Sequence, residues 1–114
     1  MKLTKKNLKP GVVVVELAGR ISMGKDCEEI DESVEQHILQ NEKHIIFDLT
    51  GVHHIDSAVV GQIVKSHSRL VKSGGKMRIA GASGMVEGVL KMTHVVKVIE
   101  LYHTVADASQ NFPQ

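Results

Sequence analysis

Residues 47–61, Phe47-Asp48-Leu49-Thr50-Gly51-Val52-His53-His54-Ile55-Asp56-Ser57-Ala58-Val59-Val60-Gly61, change hydrophobic rhythm part-way along. They begin inside an apolar run, His44 to Leu49, that reads as a buried strand. Thr50 to Ser57 has no helical period and is expected to be a loop. From Ser57 or Ala58 to Lys72 a helical stripe takes over, in which Val60, Ile63, Val64, His67, Leu70 and Val71 recur at helical spacing. A strand, a loop and a helix in that order form half of a βαβ unit. Open α/β sheets place their sites at this kind of junction.

The flanks extend the same alternation. Val12-Val13-Val14-Val15-Glu16-Leu17 is a β-branched, nearly unbroken apolar run, suited to a central strand covered on both faces. Before it, Met1 to Leu8 is short and charged and ends at a Pro10-Gly11 turn, which predicts an edge strand of a hairpin. Cys27, Ile30, Val34 and Ile38 mark a helix from about Lys25, with Glu28, Glu29, Asp31 and Glu32 near the positive end of its dipole. After Lys72, Gly74 and Gly75 predict a left-handed helix exit. Lys76 to Ala80 predicts a strand, and Ser83 caps a helix reaching Met92. Val95 to Leu101 reads as the last strand, Thr104 with Asp107 as the start of a terminal helix, and Asn111 to Gln114 as a frayed end. The expected architecture is one α/β domain over residues 1–114, with a mixed, mostly parallel sheet of about five strands and about four helices.

Composition narrows the function. The 114 residues carry 14 basic and 13 acidic side chains, a net charge of +1, which leaves no overall field for a nucleic-acid backbone or an anionic membrane. Recognition by shape is expected instead. Two Phe, one Tyr and no Trp argue against a base-stacking platform or an aromatic ligand pocket. A lone cysteine, Cys27, excludes an internal disulfide, and no apolar run approaches the length of a membrane span or a signal sequence. A soluble protein of the reducing cytoplasm, with no membrane insertion, is the expectation.

Asp56-Ser57 is the residue pair with chemical potential. A hydroxyl at a helix start faces unpaired N–H groups and the positive end of the dipole, so a phosphate there is locally accommodated. It would bring a charge of about −1.5 to −2 onto the surface. Taken alone, however, the pair reads as a helix cap contributing roughly 1 kcal/mol.

The segment resembles the STAS domain, or anti-sigma factor antagonist, family, in which an apolar strand and short loop lead to Asp-Ser-(Ser/Thr)-Gly-(Leu/Val)-Gly. Val14 to Ile21 is similar to the family's strand ending in Gly-x-Leu/Ile, and Ser73 to Ile79 to its Gly-Gly turn and next strand. Val86 to Val96 is similar to its next helix and turn. The resemblance spans most of residues 12–108. It implies a regulator without catalytic activity or cofactor, in which Ser57 is the phosphoacceptor. The partner it implies is an anti-sigma factor serine kinase, which brings the ATP, with a protein phosphatase resetting the switch. The docking surface would include Ser22, His54 and Asp56, together with Ala58, Val59, Gly61 and Gln62 on the following helix. The sequence departs from the family pattern at Ala58, where Ser or Thr is usual, and at Val59, which replaces the first Gly. Ser22 stands where many antagonists carry Asp. These departures imply an alternative, a STAS scaffold or accessory subunit of a signalling or transport complex that is never phosphorylated.

Other constellations carry less. Seven histidines invite a metal site, but adjacent residues such as His53 and His54 diverge on extended chain and no ligand spacing completes a set. His67 falls on an apolar stripe and reads as a hydrogen-bonded, partly buried residue; Cys27 reads as a small apolar one. Gly81-Ala82-Ser83-Gly84 lacks the Lys-Ser/Thr ending of a phosphate loop and is expected to be a turn and cap. No Ser-His-Asp set can be assigned by spacing.

Overall fold

The computed structural model describes residues 1–113. The hairpin forms as its pattern predicts: β1 (Lys2–Lys9) pairs antiparallel with β2 (Val12–Arg20). The chain then alternates through α1 (Lys25–Leu39), β3 (His44–His54), α2 (Ser57–Lys72), β4 (Lys76–Ala80) and α3 (Gly84–Met92). It ends with β5 (Glu100–Tyr102) and α4 (Val105–Ser109). The five strands lie in the order β1-β2-β3-β4-β5, parallel from β2 onward. A single α/β domain with a mixed, mostly parallel sheet and four α-helices is the architecture the alternating pattern predicts.

The two faces of the sheet are covered unequally. Val13, Val15 and Leu17 of β2, with Ile45, Phe47 and Leu49 of β3, pack under Ile30 and Val34 of α1, Ile63 of α2 and Leu90 of α3. The opposite pleats, Val12, Val14 and Ile46, meet Ala108 of α4 and Phe112. All four valines of the β2 run are therefore buried, as a strand covered on both faces requires.

Three expectations need correction. β3 does not stop at Leu49, because its C-terminal half keeps pairing with β2 through two irregularities, with Gly51 opposite Ala18 and His54 opposite Arg20. The Ile21 amide donates to the His54 carbonyl at 3.0 Å, so the loop before α2 shrinks to Ile55-Asp56. Val95 to Leu101 is not one strand. His94 turns left-handed, and Val95 to Lys97 form a 3-10 turn whose Val95 carbonyl accepts from the Val98 and Ile99 amides. Val95 and Ile99 thus reach the core from a turn, and strand pairing begins only at Glu100.

The third correction concerns the expected fray at Asn111 to Gln114, of which Gln114 lies outside the described residues. Phe112 is only 1% exposed. It is held by Arg78, a strand residue 2% exposed, whose guanidinium lies 4.3 Å from the Phe112 ring centre and 5.4 Å from that of Tyr102. Arg78 Nη1 donates to the carbonyls of Ala108 at 2.9 Å and Gln110 at 2.8 Å, while Nε faces Glu100 at 3.4 Å without a hydrogen-bond alignment. A buried charge satisfied by carbonyls and a carboxylate clasps the chain end onto the sheet.

Two turns depend on particular side chains or their absence. Gly74 exits α2 with φ 90°, as predicted. Gly75 is fixed for a different reason: a Cβ there would run into the Lys43 carbonyl oxygen, which accepts from the Lys76 amide at 3.0 Å as β3 and β4 begin to pair. Ser83 holds the N-cap position of α3, yet its hydroxyl makes no capping bond. Thr104 does cap α4, accepting from the Asp107 amide at 3.1 Å.

Candidate functional site

Asp56 and Ser57 occupy the junction at the C-terminal end of β3. Asp56 is the N-cap of α2, with extended backbone, and its Oδ1 accepts from the Val59 amide at 3.0 Å. Its carbonyl accepts from the Val60 amide at 3.2 Å. The cap function therefore belongs to Asp56. Ser57, the first residue of the helix, is exposed, and its hydroxyl has no hydrogen-bond partner among the described residues. The remaining first-turn N–H groups, of Ser57 and Ala58, open toward the same end of the helix.

The predicted surface residues separate by environment. Ala58 and Gly61 are exposed on α2, and Gly61, one turn on, lies next to Ser57 on the helical surface. Val59 is fully buried in the core, so its side chain is not part of the exposed surface. The β-branched departure from the family pattern points inward. Gln62 is half-buried in the seam with α1, where its Nε2 donates to Asp31 Oδ1 at 3.4 Å and Ser66 Oγ at 3.2 Å. His54 is half-buried at the end of β3, and His53 is exposed.

Ser22 comes to the same end of the sheet from the loop after β2. Its amide donates to Asp26 Oδ2 at 2.8 Å, and its carbonyl accepts from Cys27 Sγ at 3.6 Å. Burial first, then the negative charges of Asp56 and Asp26, push the Cys27 thiol above its ordinary value. That direction opposes thiolate formation and agrees with the reading of Cys27 as a small packed residue. Asp26, in the first turn of α1, and Asp56, before α2, thus both act on Cys27. Asp26 holds the Ser22 amide and was not singled out in the sequence; its position four residues after Ser22 was the available signal.

His67, on the buried stripe of α2, is hydrogen-bonded as its pattern predicts: its Nδ1 accepts from the Met77 amide of β4 at 3.4 Å. Burial, followed by the charge of Lys76, lowers its pKa from the ordinary value. Among the described residues no three His, Cys, Asp or Glu side chains cluster closely enough to hold a metal ion. No helix among them is long and apolar enough to cross a membrane.

A mixed α/β sheet whose parallel strands lead into an exposed serine at a helix start defines a small α/β domain with a surface hydroxyl site. The STAS domain family model matches residues 4–108, and the chain belongs to that family. No curated protein matches its sequence. Among solved structures it is similar to an anti-sigma factor antagonist from Mycobacterium paratuberculosis. That likeness has 20% identity and a TM-score of 0.81, and covers 94% of this chain and 89% of that one. It is also similar to the Bacillus anti-sigma factor antagonist SpoIIAA. The unphosphorylated form of that protein gives 19% identity, TM-score 0.80 and coverage of 94% and 92%; a phosphorylated form has also been solved. A sulfate transporter family protein from Wolinella succinogenes matches at 16% identity and TM-score 0.72, over 90% of this chain and 85% of that one. At these identities the likeness establishes the fold.

Proposed function

We propose that this protein is an anti-sigma factor antagonist, a cytoplasmic switch that binds an anti-sigma factor serine kinase and is released when Ser57 is phosphorylated. The supporting observation is the division of labour at the start of α2. Asp56 carries the cap, which leaves the Ser57 hydroxyl exposed and unengaged. Because Val59 is buried, the exposed neighbours that follow Ser57 along α2 are the small residues Ala58 and Gly61, and a kinase meets no bulky side chain from them. The chain is then a substrate: ATP and the transfer machinery belong to the partner, and a phosphatase restores the hydroxyl.

Incubation with the anti-sigma factor kinase and ATP is expected to add one phosphate, mapped by mass spectrometry to Ser57 and lost in Ser57→Ala. Stable kinase binding with no phosphate at Ser57 would exclude the switch. A second reading, a STAS scaffold or accessory subunit of a signalling or transport complex, is favoured by Ser22 and Ala58 and by the likeness to a sulfate transporter family protein. Co-purification of transporter subunits in place of a sigma-factor regulator would select it.

A further inference from the structure

The net charge of +1 conceals a sharp local division. α2 contains no acidic residue; its exposed stripe descends from Ser57 and Ala58 through Gly61 to Lys65, Ser68 and Lys72. A Cβ on Gly61 would meet nothing, so the upper part of the stripe is open to close approach. α1 lies alongside and is its opposite in charge, with Asp31 and Glu35 on the flank facing α2 and Glu28 on its exposed outer surface. The seam between them is neutralised internally: Arg69 contacts Asp31 at 2.6 Å and Glu35 at 3.8 Å, and Gln62 bonds Asp31. Outside the seam the charges are unspent. Among the described residues, Lys65, Lys72 and Glu28 form no ion pair.

We infer that α1 and α2 together form a bipolar docking face, fitted by a partner that presents acidic groups to the lysine stripe of α2 and basic groups to α1. The inference rests on the reading of α2 as the docking helix and adds the chemistry of its partner. Two parallel stripes of opposite sign fix orientation, because a partner turned end for end about the seam places like charges together, and such juxtaposition is strongly penalised. β1 carries four lysines, but α1 stands between β1 and α2, and Glu29 and Glu32 share a groove with Lys5 on that side. Lys6 is paired with Glu16, and Lys9 donates to the Ser109 carbonyl.

The arrangement also supplies the sign of the switch. Ser57 heads the stripe that meets the partner's acids, and a phosphate there sets about −1.5 to −2 charges against them. Repulsion, rather than a refolding of the domain, then releases the partner.

Two measurements test the face. In amide NMR titrations, hexaglutamate is expected to shift α2 signals between Ala58 and Lys72, and hexalysine those of α1. Both responses should fade as salt rises from about 0.05 M to about 0.5 M. Hexaglutamate shifts concentrated on β1, or retained in Lys65→Glu/Lys72→Glu, would overturn the inference. With the kinase, the same double variant should associate roughly tenfold more slowly, while an unchanged association rate would overturn it. A hexaglutamate response on α2 without phosphate at Ser57 in kinase assays would keep the charged face and remove only the switch.

Discussion

At the residue scale, the pair Asp56-Ser57 separates into a structural and a chemical partner. Asp56→Ala removes the bond to the Val59 amide and is expected to cost about 1 kcal/mol in urea denaturation, whereas Asp56→Asn, which keeps an acceptor, should stay close to the parent. Ser57→Ala should leave stability within about 0.5 kcal/mol, because the hydroxyl is exposed and unbonded. A larger loss would show that Ser57 has a structural role. The sequence made the pair legible, since Asp and Ser before an apolar helical stripe mark a helix start whichever of them caps. It did not say which one. That depends on Asp56 having extended backbone while Ser57 is already helical, a difference of one residue in the boundary. Val59 is buried although the resemblance includes it in the docking surface, because the buried stripe of α2 begins there, one residue before Val60.

At the element scale, α2 is the component that joins site to core. It is held to α1 by Arg69 and Asp31, and to β4 through His67, whose Nδ1 must be unprotonated to accept the Met77 amide. His44, edge-on to Phe112 with ring centres 5.2 Å apart, is lowered first by burial and then by Arg78 and Lys43. Both histidines have folded pKa values below their ordinary 6.5. The unfolded chain therefore binds protons that the fold excludes, so this contribution is complete above about pH 6.5 and is lost as pH falls below it. Urea midpoints should decline from pH 7 toward pH 5, and replacing His67 and His44 should flatten the decline; an unaltered slope would contradict the assignment. The β3–β4 start makes a separate prediction. Gly75→Ala forces a methyl group against the Lys43 carbonyl and should cost about 1–3 kcal/mol in the same assay. The alternating pattern carried most elements, since periodicity and turn residues are local. It missed the second half of β3, where Gly51, His53 and His54 lack the composition of a strand and are held there by pairing with β2. It also read Val95 to Leu101 as a strand because a β-branched run and a turn that buries only Val95 and Ile99 look alike in composition.

At the scale of the whole molecule, the sheet is thickly covered on one face and thinly on the other, where α4 and Phe112 depend on Arg78. Arg78→Ala strips the bonds to Ala108 and Gln110 and the support of the Phe112 ring, with an expected cost of about 3 kcal/mol. Phe112→Ala should cost a similar amount, and the double variant clearly less than the sum, because the two side chains act as one clasp. Additive losses would mean that they stabilise the fold independently. This closure was illegible in the sequence: Arg78 and Phe112 lie far apart along the chain, and an Arg in a short strand gives no sign of which carbonyls it meets. The family was legible because its signals are ordered local segments; the side-by-side placement of acidic α1 and basic α2 was not, since it arises from packing. In the proposed switch, phosphate at Ser57 weakens partner binding while the fold is unchanged. Calorimetric titration of the anti-sigma factor kinase with unmodified and with Ser57-phosphorylated protein measures this directly. The prediction is at least about a tenfold loss of affinity on phosphorylation, with an unaltered amide spectrum away from the first turns of α2. Equal affinity of the two forms would contradict it.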